Sequence, residues 1–78
     1  MKAVYKNPKE LATKITDLVD SYRDSLITYE KFESTFLLLI EKNEGSIYKN
    51  GFMPTKLVNI IGEDRKALLD EVVNKANL

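Results

Sequence analysis

Arg65 and Lys66 are the residues best placed to do chemistry in this chain. They follow Ile61-Gly62 at the head of a helical pattern, where a guanidinium and an ammonium can reach phosphate oxygens or a guanine edge. With Lys56 one helix earlier and Asn74 and Lys75 later in the same helix, they form a candidate DNA-contact set. Asp64, Asp70 and Glu71 share that helix and repel phosphate, which weakens the counterion release that drives such binding. A packed helical pair or a protein contact is therefore the preferred reading of the stretch, and DNA contact the alternative.

Other chemistry has little to build on. The chain contains no His and no Cys, so the usual acid–base, metal-binding and thiol side chains are missing. Asp17, Asp20 and Asp24 gather on one helix but on its expected solvent face, where nothing would raise a pKa. Ser21, Ser25, Ser34 and Ser46 have no His to activate them. Phosphate-loop, dinucleotide and calcium-loop patterns are all lacking. No enzyme, cofactor or metal is expected, and no small-molecule substrate is indicated.

Tyrosine offers a large amphipathic surface at low entropic cost, so Tyr5, Tyr29 and Tyr48, joined by Phe52, form a candidate protein interface. The rim of a small core accounts for the three tyrosines equally well. Tyr22 follows a buried stripe and belongs with the core.

Four helices must position these side chains. Asn7, Pro8 and Glu10 give the first helix a cap, a proline start and a capping-box carboxylate, and Leu11, Ile15, Leu18 and Tyr22 carry its apolar face to about residue 24. Thr28 caps the second helix, with Ile27 and Phe32 placed as a hydrophobic staple. Phe36 to Ile40 is apolar all round, which reads as core and makes this the central helix. Around Asn50-Gly51 the chain forms either a tiny hairpin or, preferably, a helical extension or irregular turn with Gly51 left-handed. Pro54 or Thr55 starts a short third helix stopped by Gly62. Asp64 caps a fourth, whose stripe is Leu68, Leu69, Val72, Val73 and Ala76.

The fold class expected is all-α: a small bundle of three main helices plus a short one, its C-terminal pair like a helix-turn-helix, in one domain over residues 1–78. At 78 residues one core barely offsets conformational entropy, so self-association would help. Twelve basic residues balance twelve acidic ones, leaving no long-range field towards nucleic acid or anionic lipid. Met1 to Pro8 holds no apolar core of a signal peptide, and no apolar run approaches a membrane span. A cytoplasmic protein with no membrane partner is expected.

Several segments carry a likeness: Val4-Tyr5-Lys6-Asn7-Pro8-Lys9-Glu10-Leu11-Ala12, Asp20-Ser21-Tyr22, Asn50-Gly51 before Pro54-Thr55-Lys56, and Ile61-Gly62 with Arg65 and Leu68-Leu69. Together they resemble a family of short uncharacterised proteins from clostridia and related bacteria, over nearly the whole chain. The resemblance implies no activity, cofactor or catalytic residue, and it leans slightly towards regulation. Glu63-Asp64 stand where a more basic turn would favour DNA. A non-enzymatic interaction or regulatory protein, working through protein contacts or as a homodimer, is the function expected; a helix-turn-helix DNA binder is the alternative.

Overall fold

The computed structural model describes residues 7–43, 45–49 and 51–76. They form four helices and no strand longer than a single bridge: α1 (Pro8–Arg23), α2 (Tyr29–Lys42), α3 (Thr55–Ile61) and α4 (Glu63–Lys75). The all-α class and the plan of three long helices and a short one are as the spacing requires.

Helix α1 starts where Asn7 Oδ1 accepts from the Lys9 amide at 2.9 Å, with Pro8 in the first turn. It ends in a Schellman turn: the Ser25 amide donates to the Tyr22 carbonyl at 3.0 Å and Leu26 to Ser21 at 2.8 Å. Ser25 holds φ 61, a left-handed position usually given to glycine. Thr28 Oγ1 then caps α2 by accepting from Lys31 at 3.2 Å. At the far end of α2 the buried Asn43 donates twice to the Leu39 carbonyl, from its backbone amide at 3.0 Å and its side-chain amide at 2.8 Å, which closes the helix.

Between α2 and α3, Lys49 and Phe52 exchange both backbone hydrogen bonds, at 2.8 and 3.0 Å, and Gly51 has φ 84. The segment is therefore the smallest form of a hairpin, closed by one antiparallel bridge, with its glycine left-handed as the turn reading also requires. Asn50 lies outside the described residues. Among the described residues α2 ends at Lys42 and helix resumes only at Thr55.

Two expectations need correction. Asp64 does not cap α4; Gly62 does, and it closes α3 as well, donating to the Val58 carbonyl at 2.7 Å and accepting from the Lys66 amide at 3.0 Å. With one residue serving both ends, no capping side chain fits, and Glu63 and Asp64 instead sit in the first turn of α4, favourable to its dipole. The second correction concerns the centre. Helices α1 and α3 each pack closely against two neighbours, α1 on α2 and α3, and α3 on α1 and α4, whereas the close packing of α2 is on α1. The reason is side-chain size: α1 buries Ala12 and Val19, which let a neighbouring axis approach, whereas α2 presents Phe32 and Phe36, which hold it off.

The core comprises Leu11, Ala12, Ile15, Leu18 and Val19 from α1, Phe32, Phe36 and Leu39 from α2, Ile47 and Met53, Leu57 and Ile61 from α3, and Leu69 and Val72 from α4. The apolar block of α2 splits by facing: Phe36 and Leu39 are fully buried, Leu37 and Ile40 half-buried, and Leu38 is 36% exposed. Tyr22 stacks on Phe32 at 4.8 Å between ring centres, so it closes the core at the α1–α2 edge. Among the described residues no helix is long and apolar enough to cross a membrane.

Candidate functional site

The residues singled out for chemistry fall in four places. Arg65 is structural: its Nε and Nη2 fork onto the two Asp20 carboxylate oxygens at 3.1 Å each, and its Nη1 donates to the Ile61 carbonyl at 3.0 Å. It thereby ties α4 to the last turns of α1 and α3, with Arg23 adding a 3.4 Å bond to the Asp64 carbonyl. Asp20 is half-buried by this, unlike the exposed Asp17 and Asp24 beside which it was read. Lys75 lies over the Tyr29 ring, 4.9 Å from its centre. Tyr29 also meets Tyr22 edge-on at 5.8 Å, and partial burial followed by the nearby Glu33 raises its hydroxyl pKa. Lys56 borders a small cleft of about 180 Å³ with Pro8, Leu11 and Leu57. Tyr5 lies outside the described residues.

The remaining four, Tyr48, Phe52, Lys66 and Asn74, are drawn together by the fold. They line one cleft of about 530 Å³ between the Lys49–Phe52 turn, the end of α2 and the outer side of α4. The volume is within the range of natural ligand clefts. Its apolar wall is Ile40, Met53 and Val73. Its polar wall is a short network centred on Asp70, whose Oδ1 accepts from the Tyr48 hydroxyl at 2.7 Å and whose Oδ2 accepts from Lys66 Nζ at 2.7 Å. Tyr48 in turn meets Phe36 edge-on at 6.4 Å, which anchors the network to the core. Phe52 stands at the rim, 78% exposed, its backbone paired with Lys49 through two hydrogen bonds.

Sequence reasoning counted Asp70 only as an acid that would repel phosphate. Its role as the hub was foreshadowed by its spacing, since Lys66 and Asp70 stand four apart on one helix and so face each other. Tyr48, which comes from outside that helix, carried no such signal. The hydrogen bond to Asp70 raises the Lys66 pKa and keeps its ammonium charged.

Burial first, then the hydrogen bond and charge of Asp70, push the Tyr48 hydroxyl far above its ordinary value of 10. Unfolded, this phenol loses its proton near pH 10 while the folded one keeps it. Its contribution is thus full below that pH and declines above it, by up to about 1.4 kcal/mol per pH unit. Tyr48→Phe lacks the titrating group and should show a flatter decline in Tm above about pH 10 than the parent protein. Parallel profiles would mean that the hydroxyl is solvated in the folded state.

Lys66 and Asp70 neutralise each other, and among the described residues no group of three or more acidic side chains could hold a metal. Of the five candidate DNA contacts, Arg65 and Lys66 are engaged with carboxylates and Lys75 with an aromatic face. The α3–α4 link is a single glycine, shorter than the three- or four-residue turn of the DNA-binding motif.

Neither a curated protein nor a solved structure matches the chain. A family described as "Conserved hypothetical protein" matches over residues 2–74, nearly the full length, and the chain belongs to that family.

Proposed function

We propose that this is a non-enzymatic interaction protein with a regulatory role, acting through protein contacts made by the cleft between the Lys49–Phe52 turn and α4. One observation carries this reading: an aromatic ring stands in solvent, beside the Lys49–Phe52 bridge, at the mouth of a cleft whose wall is half apolar and half an internally neutralised polar network. Exposed aromatics on preorganised backbone are the residues that interfaces rely on, because little entropy is lost when they are covered. A charged ligand is a poor fit, since an anion meets the like charge of Asp70 and a cation that of Lys66 in the neutralised pair.

The DNA alternative has less support. Duplex binding would require Arg65 and Lys66 to leave Asp20 and Asp70, which costs the contacts joining α4 to α1 and exposes acids next to phosphate.

The test is affinity capture from the source bacterium with the parent protein and Phe52→Asp as parallel baits. A polypeptide retained by the parent and lost with Phe52→Asp, whether an untagged copy of this chain or another protein, is the expected result. Equal retention by both baits, or duplex DNA retained in a salt-dependent way, would overturn the reading.

A further inference from the structure

Resting on that interaction reading and going further, we infer that a second copy of this chain fits the cleft, the Phe52 ring of each copy entering the cleft of the other across a twofold axis. Knob and hole lie side by side on one face, since Phe52 itself lines the mouth of the cleft. That adjacency is what a twofold contact needs, because the same patch must serve as both donor and receiver. A ring that is 78% exposed and a wall of Ile40, Met53 and Val73 are complementary in chemistry.

Charge points the same way. Lys66 and Asp70 follow each other along α4, so two α4 helices meeting antiparallel bring Lys66 of each copy towards Asp70 of the other. Either parallel contact would oppose like charges. The chain as a whole carries a formal net charge of zero, so nothing long-ranged keeps two copies apart. A stable contact takes about 800 Å² from each partner. Against a total surface of 5195 Å², it must include the turn and the outer face of α4 as well as the cleft.

The experiment is sedimentation velocity of the intact protein from low micromolar to submillimolar concentration, beside Phe52→Asp and a control, Leu26→Ser, which changes another exposed apolar residue outside the cleft. The parent and the control should shift towards dimer as concentration rises, and Phe52→Asp should raise the dissociation constant at least about thirtyfold, as loss of a central aromatic does. Circular dichroism on Phe52→Asp checks that the variant is folded. A mixed sample of isotope-labelled and unlabelled parent protein gives a second readout: filtered nuclear Overhauser effects should connect the Phe52 ring of one copy with Val73 methyls of the other. A parent that stays monomeric throughout, or a dimer that Phe52→Asp leaves intact, overturns the inference. A monomeric parent whose capture of another polypeptide still depends on Phe52 would leave the interaction reading standing while removing this one.

Discussion

Phe36→Ala is expected to leave most molecules unfolded at room temperature. The ring is fully buried in α2 and meets Tyr48 edge-on, so truncation removes core contacts and an aromatic pair together. Such changes cost about 3–5 kcal/mol. A single core in a chain of this length supplies about 3–5 kcal/mol of net stability, so the loss is comparable with the whole. Urea unfolding followed by far-ultraviolet circular dichroism measures it. A midpoint close to that of the parent would mean that the α2 face is not packed as described. Phe36→Leu keeps most of the volume and should retain a cooperative transition.

Gly62→Ala comes next in size. At φ 91 and ψ 156 the residue occupies a backbone region open almost only to glycine. A Cβ placed there would meet nothing within 4 Å beyond the residues adjacent in the chain, so the penalty is the local backbone conformation rather than crowding by packed neighbours. A loss of about 1–3 kcal/mol is expected. Because Gly62 both closes α3 and opens α4, the strain should fray the two helices together, seen as faster amide exchange on each side of the junction. Faster exchange on one side only would show that the two ends are not coupled through this residue.

Helix positions were legible because their signals are local. Asn7, Pro8 and Thr28 declare their starts by residue type, and the spacing of Leu11, Ile15 and Leu18 declares the buried face of α1. What depends on the third dimension was not. Asp20 read as a solvent acid because its partner, Arg65, lies 45 residues away and reaches it only once α4 folds back on α1. The close pairing of α1 with the short α3 also escaped, since apolar bulk, which draws attention to α2, says how much a helix buries and nothing of how closely its axis can be approached. The cleft shows the same limit. Lys66 and Asp70 could be paired by counting along the helix, whereas Tyr48 joins them only through the turn that brings residues 47 to 53 beside α4.

The Lys75 ammonium above the Tyr29 ring has a practical consequence. It fastens the final turn of α4 to the first turn of α2, and the chain contains no tryptophan to outshine its phenols under ultraviolet excitation. Tyrosine emission should accordingly act as a built-in gauge of whether the last helix is seated, readable on unmodified protein without a dye or a tag.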